Sequence, residues 1–264
     1  MIAETPLSFG QSLRQLRTDS FQLLETRHPQ GMCLSKHAHG HACVNFVLEG
    51  CYREDIGNLR GAFLPRQAAF KPPGAEHANH FETTGARCLL VELVAEDAAR
   101  AEFALGDVVC TARPAAARAA LALWHELART DASTPLAVEH LGWELYAAVL
   151  GVKPPPRAPS TAVRRACEAL HDDPRAPWTL ATLATHVGLH PSHLARAFRA
   201  AFDATVGDYL RALRVDELAR HLALERRPVA ELADDLGFAD QSHATRAFRA
   251  RFATTPAAWR RAFR

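Results

Sequence analysis

The chain has 264 residues, room for two domains, with 31 basic against 29 acidic side chains. A net charge of +2 does not by itself point to a polyanionic partner, because a concentrated basic face matters more than a total. Six cysteines without compact disulfide spacing fit a reduced chain, and no long apolar run or charged-then-apolar leader lies near Met1, which argues against a membrane span or secretory signal and for a cytoplasmic protein.

Up to about Val94 the pattern is β-rich. Val44 to Gly50, Gly61 to Leu64, Ala68 to Phe70 and Arg87 to Leu93 are short apolar runs punctuated by Gly and Pro, as expected for a small barrel. Histidines cluster among them: Gly31 is followed by His37-Ala38-His39, then Leu48-Glu49-Gly50, then Pro72-Pro73-Gly74-Ala75-Glu76-His77. Positions 37, 39 and 43 differ by even steps, so a continuous extended segment would present them on one face.

This order resembles the two motifs of a cupin. In metal-binding cupins the first motif supplies two histidines and usually a glutamate seven residues before a glycine, and the second supplies one histidine. Carried over by position, the resemblance implies His37, His39, Cys43 and His77 as metal ligands, with cysteine where the glutamate usually stands. Three imidazoles and a thiolate suit zinc, and iron, nickel or copper would accept them. His41 is an alternate ligand by parity, and His80 is close enough to His77 to support it from behind. The competing reading is a barrel without metal, with Cys43 as a small buried apolar residue.

From Pro114 to Leu150 the period turns helical. Ala117, Leu121, Trp124 and Leu127 or Ala128 form one stripe; Leu136, His140, Trp143 or Glu144 and Ala147 form another, with a turn over 130–135 between two antiparallel helices. Trp124 and Trp143 suit either anchors for a second subunit or a core. Lys153-Pro154-Pro155-Pro156-Arg157-Ala158-Pro159 should run extended before Ser160 caps a new helix. The expected domains are thus 1–152, a linker at 153–159, and 160–264. From Ser160 onward sixteen arginines face twelve acidic residues, a local +4, while the preceding part carries −2.

Within 160–264, HPSHLARAFRAAF from His190 and DQSHATRAFRARF from Asp240 agree at eight positions, fifty residues apart. Each follows a short apolar-periodic segment and a glycine: Leu180, Leu183, Ala184, Val187 and Gly188, then Val229, Leu232, Ala233, Leu236 and Gly237. Helix, tight turn, second helix is the expected unit, twice. In the second helices Leu194, Phe198 and Phe202, like Phe248 and Phe252, would face the core, leaving Arg196, Arg199, Arg246 and Arg249 on the far side. Between the copies, Val206 to Ala223 reads as one helix of roughly 27 Å, a rod suited to two readers separated by about one 34 Å turn of DNA.

These motifs resemble the DNA-binding domain of the AraC/XylS family of transcription regulators, over roughly 160–264. The second copy carries more of the pattern, in Val229-Ala230-Glu231-Leu232-Ala233, Gly237 to His243, Arg246-Ala247-Phe248-Arg249 and Pro256. Four positions depart: Asp203 and Ala253 stand where glycines are usual, Val206 where a proline is, and Ala244 where an aromatic is. The resemblance implies Ser192, Ala195 and Arg196, with Gln241, Ser242, Thr245 and Arg246, as base-edge contacts; Ala195 would offer only apolar contact to a thymine methyl. Arg199 and Arg249 are better placed for phosphates.

The expectation is an α+β chain: an N-terminal cupin-like β-barrel with a helical hairpin, then an all-α tandem helix-turn-helix domain. It reads as a regulator that binds double-stranded DNA, senses a metal ion (Zn2+ first) or a small molecule, and is not an enzyme; the family resemblance adds a homodimer and RNA polymerase as partners. The alternatives are a metal-dependent cupin enzyme fused to a DNA-binding domain, and a metal-free sensor of an organic ligand.

Overall fold

A computed structural model describes residues 10–57, 59–81, 84–95, 106–128, 131–152 and 160–262. The expected linker at 153–159 lies outside them. The chain divides into two units, Met1–Ala128 with Leu141–Pro154, and Arg129–His140 with Pro155–Arg264.

The first unit is a cupin-like barrel of two antiparallel sheets. Its strands are β1 (Gln11–Arg17), β2 (Phe21–His28), β3 (Met32–His37), β4 (Ala42–Gly50), β5 (Tyr52–Ile56), β6 (Leu59–Phe63), β7 (Ala68–Lys71), β8 (His77–Phe81), β9 (Ala86–Leu93) and β10 (Val109–Thr111). One sheet runs β1-β2-β9-β4-β7-β10 and the other β3-β8-β5-β6. Inward positions alternate along each strand, so Val47, Tyr52, Phe63, Ala69, Phe81 and Cys88 meet in one apolar cluster. At Gly50, φ is +72° and a Cβ would fall 2.1 Å from the Gly85 carbonyl oxygen; only glycine fits there.

Helix α1 (Pro114–Glu126) buries Ala116, Ala119, Ala120 and Leu123. That stripe is turned from the expected one, because Leu121 and Trp124 lie at its margin; the Trp124 indole N–H donates to Glu25 Oε1 at 3.0 Å. Helix α2 (Thr134–Leu150) is apolar nearly all round, as a buried helix is. Trp143 is a core residue, 1% exposed and edge-on to Phe21 at 5.0 Å, so it does not present an anchor to a second subunit. The single Tyr146 hydroxyl proton lies between two acceptors, the carbonyls of Ala42 at 2.8 Å and Val91 at 3.0 Å.

The second unit contains α3 (Thr161–Asp172), α4 (Leu180–Val187), α5 (Pro191–Phe202), α6 (Val206–Leu224), α7 (Val229–Asp235), α8 (Gln241–Phe252) and α9 (Pro256–Ala262). Ser160 caps α3 by accepting from the Val163 N–H. Gly188 and Gly237 both turn the chain at φ +74°, the conformation a helix-turn-helix elbow needs. The repeat extends to packing: Phe198 and Phe202 lie 4.8 Å apart and enclose Tyr209, while Phe248 and Phe252, also 4.8 Å apart, enclose Trp259.

This unit does not begin at 160. Residues 131–140 group with it, tied by the hydrogen bonds of Asp131 to Arg211, Ser133 to Arg214 and His140 to Val206. No local pattern could reveal pairings so distant in sequence.

Candidate metal centre and nucleic-acid interface

His37 closes β3 and His77 opens β8, and the antiparallel register sets the two directly opposite each other. His39 follows in the loop before β4. The ring centroids of His37 and His77 are 4.2 Å apart, those of His39 and His77 5.2 Å, and one nitrogen from each imidazole lies within 4.8 Å of the others. The Nδ1 atoms are already engaged: His37 with the Ser35 carbonyl at 2.8 Å, His77 with the Ala75 carbonyl at 3.0 Å, and His39 with Glu92 Oε1 at 3.1 Å. An Nδ1–H that donates to oxygen fixes the tautomer, so that Nε2 carries the lone pair an ion would use; His77 Nε2 lies 3.7 Å from Glu54 Oε1. Burial, and then the charge of Lys71, holds the His77 pKa down to about 3; burial also lowers that of His37. Both rings are therefore neutral near pH 7, as ligands must be.

Cys43 is not part of the cluster. The parity argument required one continuous strand from 37 to 43, but β3 ends at His37 and β4 starts at Ala42. Cys43 instead packs against Leu24 and Leu90, fully buried, and burial pushes its thiol pKa up to about 12. Its place excludes it: the thiol lies against Leu24 and Leu90, apart from the three imidazoles. His41 is exposed and outside the cluster. His80, an odd number of positions from His77, points to the other face of β8 towards Asp55.

Sequence reasoning missed the buried charges around the histidines. Lys71 Nζ donates to Glu54 Oε1 at 2.6 Å; the Asn79 amide donates to the same oxygen at 2.9 Å, and the Tyr52 hydroxyl to Oε2. Burial raises the Glu54 carboxyl pKa, but the Lys71 charge and hydrogen bond outweigh it, so the pair is ionised. The sequence signal was a Lys ending the apolar β7 and a Glu at the inward position of β5 between Tyr52 and Ile56. Lys71 and Asn79, with His37, His39, His77, Asn45 and Phe81, border a cavity of about 40 Å³.

In the second unit the two copies differ. In α8, Gln241, Ser242, Arg246 and Arg249 are exposed and Thr245 is half-buried. In α5, Ser192 and Ala195 are fully buried, contrary to the base-edge role that the resemblance implied for them. The Ser192 hydroxyl is spent on His190 Nδ1 at 2.8 Å, and Ala195, lacking any polar group, is accommodated in the interior. Arg196 is half-buried with its Nε–H donating to the Ser192 carbonyl, and Arg199 Nη1 donates to the Asp203 carbonyl at the helix end.

A helix-turn-helix domain model matches residues 183–262. Right origin-binding protein of Escherichia coli (strain K12) is 38% identical over 85 residues, which are 32% of this chain and 29% of that protein; the chain thus covers less than a third of that relative. Regulatory protein SoxS of the same strain is 34% identical over 84 residues, 32% of this chain and 78% of SoxS. The chain belongs to the AraC/XylS family. Among solved structures, a cupin superfamily protein from Desulfitobacterium hafniense aligns with 34% of the chain and 83% of its own, at 15% identity and a TM-score of 0.30.

The departures from the AraC/XylS pattern now have physical readings. Asp203 and Ala253 keep the left-handed conformation of the usual glycines, φ 50° and 54°. Ala244 fills a core position that an aromatic usually takes. Val206, unlike proline, has an N–H, which donates to His140 Nδ1 at 3.2 Å. No helix among the described residues is long and apolar enough to cross a membrane.

Proposed function

We propose that this chain is a metal-responsive transcription regulator that binds duplex DNA through tandem helix-turn-helix motifs. Its DNA-binding half rests on the family membership and on the exposed Gln241, Ser242, Arg246 and Arg249 of α8, which offer amide, hydroxyl and guanidinium donors suited to base edges and phosphates. The observation that carries the sensing half is the convergence of His37, His39 and His77, each Nδ1 anchored to oxygen. These three residues would hold a divalent transition metal, zinc by ligand preference. When bound, the ion supplies a binding free energy linked to the barrel's conformation, so occupancy can bias which arrangement of the chain is populated. A second copy of the chain and RNA polymerase complete the partners that the family implies, with the domains divided about the 153–159 linker except that 131–140 serves the DNA-binding unit.

One observation favours a second reading, a metal-dependent enzyme with a DNA-binding unit: with Cys43 outside, three histidines leave coordination positions open, as catalytic sites do. Against it, a cavity of about 40 Å³ admits about one water, whereas organic ligands occupy roughly 300–1,000 Å³. The same volume weighs against an organic effector at the histidines. The deciding experiment measures metal content in protein purified without chelator, then affinity for a duplex selected by this protein from a random pool, with and without chelator. Stoichiometric metal and a chelator-dependent affinity support the reading; protein that neither contains nor takes up metal removes the sensing half. Turnover of a panel of small organic acids would favour the enzyme.

A further inference from the structure

Residues 131–140 contact α5, α6, the elbow between α7 and α8, and the first turn of α8. Asp131 Oδ2 accepts from Arg211 Nε of α6 at 2.9 Å and lies 3.4 Å from His243 Nε2, in the first turn of α8. Asp131 Oδ1 meanwhile caps the Ser133 and Thr134 N–H groups, so the carboxylate is held from both sides. The Ala132 N–H donates to the Gly237 carbonyl, at the elbow between α7 and α8. Ser133 Oγ, fully buried, accepts from Arg214 Nη1 at 2.7 Å, and Arg214 Nε donates to the Pro174 carbonyl ahead of α4. At the other end, Ala137 packs so closely on Gly207 that a Cβ there would come within 2.5 Å of it. His140 accepts from the Val206 N–H and stands edge-on to Phe198 of α5 at 6.4 Å.

We propose that residues 131–140 are a brace that fixes the spacing and rotation of α5 and α8, with Asp131 the positioning residue for α8. The physical reason is the placement of the contacts. A helix-turn-helix half bonded only to the end of a long connecting helix can swing, and the reading helices must enter successive major grooves about 34 Å apart. The brace ties the elbow and first turn of the second half to the middle of α6, and ties the start of α6 to the first half. The Ser133–Arg214 and His140–Val206 bonds are buried and the Asp131–Arg211 bond is charged, the classes whose loss is felt most strongly. The departure from the family pattern at Val206 belongs to the same device, since a proline there has no N–H for His140. The inference rests on the DNA-binding reading above.

The test uses the full chain and a duplex selected by the wild-type protein from a random pool, remade with one or two base pairs inserted between the half-sites. Each inserted pair turns the far half-site by about 34°, and a braced reader should lose at least about tenfold in affinity, a mismatch-sized penalty. In Asp131→Asn, isosteric but uncharged, and in Val206→Pro, which suits the first turn of a helix, the penalty should shrink to about threefold or less while the melting midpoint shows a folded protein. A folded variant of either kind that keeps the full insertion penalty overturns the brace. Should Asp131→Asn fail to fold, Val206→Pro decides alone. A wild-type protein that selects no duplex would instead refute the DNA-binding reading, so the two failures are distinguishable.

Discussion

Asp203 and Ala253, fifty positions apart at the ends of α5 and α8, hold the same left-handed backbone, at φ 50° and 54°. An L-residue there costs about 1–2 kcal/mol. Aspartate tolerates the region because its short side chain can bond locally, but alanine has no such compensation. Ala253→Gly should therefore raise stability by roughly 0.5–1 kcal/mol after the larger unfolded-state entropy of glycine is counted. Urea midpoints check this; an Ala253→Gly variant no more stable than wild type would mean the strain is relieved elsewhere.

The metal centre predicts an order among variants. His77→Ala removes one of three convergent imidazoles and should weaken zinc binding by at least about 100-fold, since ligands act as a set. Glu92→Gln, which replaces the carboxylate at His39 Nδ1, should cost about 10–100-fold. Cys43→Ser should change affinity by no more than about threefold, because the thiol lies in an apolar contact with Leu24 and Leu90. Competition titration against a chromophoric chelator ranks them, and a Cys43→Ser loss equal to that of His77→Ala would put the cysteine back among the ligands.

What the sequence disclosed depended on how local the signal was. The helical repeat was legible because the apolar period, the elbow glycine and the Phe pair of each copy lie in one continuous stretch, 180–202 and 229–252. His37, His39 and His77 were found through motif order, which survives loops. Cys43 was misjudged because strand parity fails once a loop interrupts the strand. Glu92, Glu54 and Lys71 were not assigned to the site because only the cross-strand register brings them to the histidines, and the role of 131–140 was hidden because its partners lie 58 to 112 positions away. Ser192 and Ala195 match their motif yet are buried, since a family pattern assigns position and not exposure.

Acid should weaken the barrel through His28. Its ring is buried, stacked on Phe81 at 4.2 Å, and burial lowers its pKa from 6.5 to about 4. The folded state thus resists the proton that the unfolded chain accepts. The stability contribution is complete above pH 6.5, falls as pH drops, and by pH 5 the loss is about 2 kcal/mol. In metal-free protein, His28→Gln should show a smaller drop in urea midpoint between pH 7.5 and pH 5 than wild type does. His77 titrates in the same direction, so some acid sensitivity remains; identical drops in the two proteins would refute the role of His28.

The exposed arginines of α8 should divide by function. Arg246 lies one turn after Ser242 on the same exposed face of α8, where a guanidinium can meet guanine O6 and N7. Arg246→Ala is expected to lose about 1–3 kcal/mol on the selected duplex and to relax preference at one base position. Arg249 lies one turn nearer the C-terminal end of α8, where phosphate contact is favoured, so Arg249→Ala should weaken selected and unrelated duplexes alike and lower the slope of log affinity against log salt by about one. The matching change in α5, Arg196→Ala, should act less on base preference than Arg246→Ala, because its guanidinium is half-buried and bonded to the Ser192 carbonyl. Binding isotherms across salt, with selection repeated for each variant, separate these effects. Equal loss of base preference in Arg246→Ala and Arg249→Ala would abolish the division between base reading and phosphate anchoring, and a larger loss in Arg196→Ala would show that α5 turns its face outward when DNA binds.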